Sequence, residues 1–354
     1  MSMSRVDAIA NAVLYEGFML YPYRASAIKN QQRFNFGVVV PEAKPRPSIS
    51  SELSRITTEC LLRGNDESQI DIEVRFLQLV QRDCEIPGNS ESDAGKTRGN
   101  FVRVEKAEVN ERVLSSWQEA IEQRVGVGPL AILALLNGPI RKELNFGAVR
   151  ETEPIYDQDG DLAARFVRHR EPLCGYLEVR VVCIAADLFK IEASIVNTSA
   201  LSDAAGASHE TAMLSSFLST HKVLRCKGAA FISLTDPPSE LQEFAAGCKN
   251  TGTWPVLAGE VHSSADVLLS SPIILYDYPE IAPESAGELF DGTEIDEILA
   301  LRILTMTDDE KREMRSVDDR TRAILERTEL LPPEHFMKLH GAMRALAPAE
   351  KERS

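Results

Sequence analysis

The chain has 354 residues, of which 44% are hydrophobic and 26% charged, with a formal net charge of −15 and an isoelectric point near 5.0. That is the composition of a globular protein large enough to bury a core without disulfide or metal staples. The charge repels phosphate backbones and anionic membrane surfaces, so neither nucleic acid nor lipid is an expected partner.

In chain order, residues 4–13 read as a short helix that leads into an aromatic run. Tyr15, Phe18, Tyr21 and Tyr23 are followed by Phe34 and Phe36, with Arg24, Lys29 and Arg33 interleaved. Phe18–Tyr23 and Phe34–Val40 have strand composition, closed by Pro41, Pro45 and Pro47. This run is either a packed strand pair or a recognition surface. Ser51–Arg63 is predicted as a helix on the spacing of Leu53, Ile56, Leu61 and Leu62. Ile70–Asp83 alternates cleanly, which predicts a strand with one buried and one wet face, in an antiparallel sheet. Residues 86–100 form a polar loop, and Phe101–Val109 returns as its hairpin partner.

Trp117–Gln123 reads as helix, then a glycine-assisted bend enters a second apolar helix at Leu130–Leu136. Arg141–Glu151 reads as a strand. Pro154–Arg168 reads as a hairpin turning on Gln158–Asp161. Tyr176–Ala185 and Leu188–Thr198 are two further strands, Ala229–Leu234 a short one, and helices are expected within Ser202–Ser219 and at Ser239–Cys248. From about residue 287 the apolar period lengthens to that of a helix over Thr293–Leu304. Thr307 and Glu310 form a capping box before a helix at Lys311–Arg327, and a last helix follows Pro332–Pro333. Strands followed by helices imply an α+β fold: an antiparallel, sandwich-like β core with flanking helices and a helical C-terminal tail. Residues 1–286 are the β-rich core, with a division into two lobes near 110–150 left open, and 287–354 the helical segment.

No motif in the chain commits it to a reaction. Ser90–Thr97 imitates a phosphate-binding loop but lacks its first glycine and leads into a strand. Gly126–Ala131 resembles a dinucleotide fingerprint without the preceding strand or βαβ frame. Asp157, Asp159 and Asp161 look calcium-like, yet Leu162 and Arg168 stand where such a loop needs glycine and glutamate. The six cysteines form no CxxC pair, and His335 and His340 lie five apart, off one helical face. The longest apolar run, Val125–Leu136, is too short to span a bilayer. The opening residues lack the basic and apolar regions of a signal peptide, so a cytoplasmic location is expected. Trp254, Pro255, Pro272, Tyr276, Tyr278, Pro279 and Pro283 make a stiff aromatic stretch among carboxylates, either a functional loop or a cover over the sheet.

Three blocks, Tyr15–Gly37, Gly252–Gly259 and Leu269–Glu297, resemble a bacterial family encoded in gene clusters for actinobacterial-type uptake [NiFe]-hydrogenases. The resemblance spans most of the chain and carries no catalytic residue with it. It implies an accessory role in hydrogenase assembly, maturation or stability, through contacts with hydrogenase subunits or other maturation factors, without a cofactor. Aromatic residues and arginine are the types that anchor protein interfaces. Tyr15, Tyr21, Tyr23, Arg24, Arg33, Trp254, Tyr276 and Tyr278 are therefore the expected partner-binding residues, with the two segments lying side by side. The alternative is a metal- or cysteine-dependent enzyme whose site residues converge only in the fold.

Overall fold

The computed structural model describes residues 5–16, 36–42, 53–88, 101–201, 209–259, 265–280, 303–317 and 319–330. The fold is α+β, dominated by two antiparallel sheets. The five-stranded sheet has the order β13 (Ala230–Ile232), β1 (Arg55–Arg63), β11 (Leu188–Asn197), β10 (Leu173–Ala185), β7 (Ile140–Phe146). The larger sheet runs β14 (Trp254–Leu257), β15 (Val267–Ser271), β12 (Leu218–Lys227), β2 (Gln69–Pro87), β9 (Leu162–Arg170), β8 (Val149–Tyr156). Two more strands, β3 (Phe101–Val104) and β6 (Trp117–Ala131), also pair with β2. A separate ribbon joins β4 (Lys106–Val109) to β5 (Arg112–Ser115).

The sheets face each other across one apolar core. β1 contributes Ile56, Cys60 and Leu62; β2 contributes Ile70, Ile72, Val74 and Phe76; β11 contributes Ile191, Ala193 and Ile195. Phe76 sits at its centre against Phe146 and Phe217. The chain crosses between sheets repeatedly: β1 to β2, β6 to β7, β11 to β12, β12 to β13. Both sheets thus take strands from either side of residues 110–150.

Several sequence expectations give way here. Arg141–Glu151 is not one strand: the chain leaves β7 after Phe146 and enters β8 of the other sheet at Val149. Ser51–Arg63 is strand, not helix. Both faces of β1 are covered, with Leu61 under a cluster that includes Leu241 and Ala245, so its adjacent apolar residues imitate a helical period. The run Ile56-Thr57-Thr58 is β-branched, which favours the extended chain. Trp117–Gln123 is likewise strand, because pairing with β2 from Gln118 to Val127 outweighs the helix propensity of its Gln, Glu and Ala residues. The outer face of β2 is wet only at its start, where Asp71 is exposed and Glu73 half-buried; further along, Arg75, Leu77 and Leu79 are buried on it. Helix α1 (Arg5–Tyr15) covers part of that face, and the C-terminal helices cover the rest.

Short helices α2 (Ile132–Leu136), α3 (His209–Leu214) and α4 (Gln242–Ala246) close loops between strands. Helices α5 (Asp308–Val317) and α6 (Asp319–Glu329) form an antiparallel pair that buries Met314, Val317, Ile324 and Leu325 against Leu77, Leu79 and Trp117. The capping box is present: the Glu310 carboxylate accepts from the Thr307 amide at 2.9 Å and the Thr307 hydroxyl accepts from the Glu310 amide at 3.3 Å. Arg82, with its side chain 4% exposed, ties this pair to the sheet by donating to the carbonyls of Ser316, Val317 and Ser115 and to Glu119. The predicted β8–β9 hairpin forms, with the Asp157 carboxylate accepting from the amides of Asp159 and Asp161 in its turn. β8 is an edge strand carrying exposed Arg150, Glu151, Glu153 and Pro154. The phosphate-loop imitation, the expected helix over 293–302 and the last helix lie outside the described residues.

Candidate functional site

The unusual chemistry of the molecule gathers on β12. This strand opens with a bulge: Leu218 pairs with Leu77 and His221 with Arg75, so one residue is extra. Ser219 sits there at a φ of 51°. The bulge frees the amides of Ser219 and Thr220, which donate to the carbonyls of Phe36 and Gly37 at 2.9 and 3.0 Å. Gly37 itself has a φ of 56°, and a Cβ on it would fall 2.6 Å from the Pro272 Cβ. Only glycine fits there. The end of the aromatic N-terminal run is thus locked between the bulge and the loop after β15.

Beyond the bulge, His221 and Val223 face outward and Lys222 and Leu224 face the core. Lys222 is fully buried, and its Nζ has no hydrogen-bond partner. Ser270 stands directly opposite it on β15 and Val74 on β2. The Ser270 hydroxyl meets Thr58 Oγ1 at 2.5 Å, and Thr58 meets Thr253 Oγ1 at 3.0 Å. Cys60 is the next inward residue on β1 after Thr58 and is also fully buried. Burial drives the Lys222 amine down to about 7, with only the Cys60 thiol acting in the opposite direction. Burial likewise holds the Cys60 thiol far above its ordinary range. A charged, unpaired ammonium in such a place costs several kcal/mol, so the neutral amine is the form that suits the fold.

The outer face of β12 is polar in a different way. The His221 Nδ1 donates to the Ser219 carbonyl at 2.8 Å, while Nε2 is buried and unpartnered. Burial lowers this histidine to about 4, so the ring is neutral. Beside it, Arg75 pairs with Glu73 and with Asp7 of α1, and donates to Asn11 at 3.3 Å. This network fastens α1 over the sheet. An amine held neutral is a competent nucleophile. Burial keeps Cys84 raised and pushes Cys226 up to about 12 and Cys248 up to about 11, so these thiols are not activated. No group of three metal-ligating side chains occurs among the described residues.

A second feature lies at the β14 edge. The chain leaves β15 at Ser271, opposite Trp254, and returns to Leu257. Asp277 fastens this strap: its Oδ1 accepts from the Leu257 amide at 2.7 Å, and its Oδ2 accepts from Ser233 and Thr235 at 2.5 and 2.7 Å. Ile273 and Leu275 pack inward on the α1 cluster. The residues between and after them point out: Ile274 is 75% exposed and Tyr276 89%, and on β14 Trp254 is 44% exposed. Arg5 closes the strap's far end on Glu280 at 2.6 Å.

The expected partner-binding residues divide accordingly. Trp254 and Tyr276 are presented to solvent. Tyr278 is half-buried against the main core with a φ of 55°, its amide donating to the Leu257 carbonyl at 2.7 Å. Tyr15 is buried, its ring beneath the Arg320 guanidinium at 3.3 Å, so it packs α1 onto the C-terminal helices. Tyr21, Tyr23, Arg24 and Arg33 lie outside the described residues. The two segments do approach each other at Gly37 and Pro272. Sequence reading missed Lys222, although a signal existed. Lys222, Leu224 and Cys226 share the alternation of an apolar strand, and lysine is the wrong type for that face.

No protein-family model matches the chain, and no curated protein matches it. Among solved structures, the secretin InvG of the Salmonella SPI-1 type III secretion injectisome (residues 176 to the end, open gate state) matches at 10% identity and a TM-score of 0.13. That alignment covers 74% of this chain and 75% of the secretin chain, and a likeness this low carries no argument. No helix among the described residues is long and apolar enough to cross a membrane.

Proposed function

We propose that the chain is a non-enzymatic accessory protein that docks a protein partner on the rim formed by Trp254, Ile274 and Tyr276. The observation that carries this reading is the exposure of Ile274 and Tyr276 on a strap that is itself hydrogen-bonded in place, with Trp254 exposed on β14 opposite the residue where the strap begins. Preformed aromatic anchors bind with little ordering cost. The sequence resemblance then makes the partner a subunit or maturation factor of a [NiFe]-hydrogenase, and the role its assembly, maturation or stability. The test is a binding titration against purified hydrogenase subunits with Trp254→Ala plus Tyr276→Ala. Each truncation is expected to cost about 2 kcal/mol, roughly thirtyfold in affinity, with the unfolding midpoint unchanged. A double variant that binds like the parent refutes the rim, and no binding to any hydrogenase subunit refutes the partner.

The enzyme reading keeps one observation in its favour, the neutral amine of Lys222 beside a buried hydroxyl cluster. Stoichiometric metal in the purified protein, or turnover abolished by Lys222→Met, would promote it.

A further inference from the structure

Lys222 and Cys60 are two oxidisable groups that the packing of the core does not use. The amine meets no acceptor, and no carboxylate contributes to its electrostatics. The Cys60 thiol is enclosed with it between the sheets. A methionine would fill the place of Lys222 without burying an amine. The strand register connects the two groups through neighbouring side chains. Ser270 lies directly opposite Lys222, Thr58 is hydrogen-bonded to Ser270, and Cys60 is one inward position further along β1. The amine and the thiol lie near enough for each to act on the other's charge, and the four-carbon stem of lysine is flexible.

We propose that Lys222 and Cys60 are a redox-modification site, at which dioxygen joins the lysine Nζ to the cysteine Sγ through a single bridging oxygen. One N–H bond and the S–H bond break, and N–O and O–S bonds form. The two hydrogens leave with the second oxygen atom as water. Nitrogen and sulfur are each oxidised by two electrons, and dioxygen is reduced by four. Dioxygen is the oxidant that fits, because it is small, neutral and apolar enough to reach side chains with no solvent exposure. The product carries no charge, which suits the surrounding Val74, Leu224 and Leu268. The bridge links β12 of one sheet to β1 of the other.

The test uses the full chain, purified under reductant and divided between anaerobic and air-saturated buffer. Intact mass and peptide mapping are then compared with those of Lys222→Met and Cys60→Ala. The expected result is a gain of one oxygen and loss of two hydrogens in air alone, with the Lys222 and Cys60 peptides linked. Thiol reductant reverses the change, and neither variant shows it. A rise in the unfolding midpoint on oxidation, absent from Lys222→Met, would support the link between sheets. Unlinked peptides after prolonged air exposure overturn the proposal, as does oxygen gained on Cys60 without hydrogen loss, or an identical mass change in Lys222→Met.

Discussion

A single side chain can oppose the fold that contains it, and Lys222 does so. Its amine falls from an ordinary 10.5 to about 7 on burial. Above pH 10.5 the amine is neutral in both folded and unfolded chains, and it imposes no penalty. As pH falls towards 7 the unfolded chain takes up a proton that the folded chain refuses, so stability is lost. Below 7 the deficit is constant. Lys222→Met is therefore expected to stabilise the protein at pH 7 by on the order of 4 kcal/mol, a gain that shrinks towards zero by pH 10.5. Urea unfolding of both proteins at pH 7 and pH 10 measures the difference, and a gap independent of pH contradicts the account. The residue scale was partly legible beforehand. Trp254 and Tyr276 stood out by type and are presented to solvent, while Tyr15, chosen on the same ground, is core. An aromatic residue looks the same in sequence whether it anchors an interface or a helix, because the difference lies in what packs over it. Here Arg320 does, three hundred residues away in the chain.

Elements defined by local chemistry were readable, and those defined by distant cover were not. The Thr307–Glu310 capping box and the β8–β9 turn each rest on side chains within five residues, and both form as predicted. β1 and β6 were misread because their covering partners are remote. The clamp on α5 and α6 was invisible for the same reason. Arg82 joins β2 to the last carbonyls of α5 across 234 and 235 residues. The last carbonyls of a helix lack partners within it, and a cation there also complements the helix dipole. Arg82→Ala is expected to cost about 2–3 kcal/mol, since it leaves the carbonyls of Ser115, Ser316 and Val317 without their donor, while Glu119 keeps Arg168 at 2.8 Å. Limited proteolysis should then cut first within 303–330. A variant as resistant there as the parent would show that apolar packing alone holds the helices.

On the scale of the whole molecule, the crossing of the chain between sheets makes each sheet a condition for the other. Neither sheet can be completed from a continuous stretch of sequence, so the described β-structure is expected to melt in one step. The two tryptophans test this from different places, Trp117 beneath the C-terminal helices and Trp254 on the β14 rim. Trp117→Phe and Trp254→Phe each leave one reporter, and their denaturant transitions should coincide with that seen by circular dichroism. Separate midpoints would mean that the helical pair or the rim unfolds on its own. The same sheet architecture leaves a boundary at β8, where backbone groups face no further strand among the described residues. Arg150, Glu151 and Glu153 stand along that boundary, and Pro154 withholds an amide from it. A newly made copy of the chain meeting this edge finds alternating charges and a missing donor instead of a template. At cellular concentrations, then, the least conspicuous strand of the larger sheet is a poor place for a neighbouring molecule to add a strand of its own.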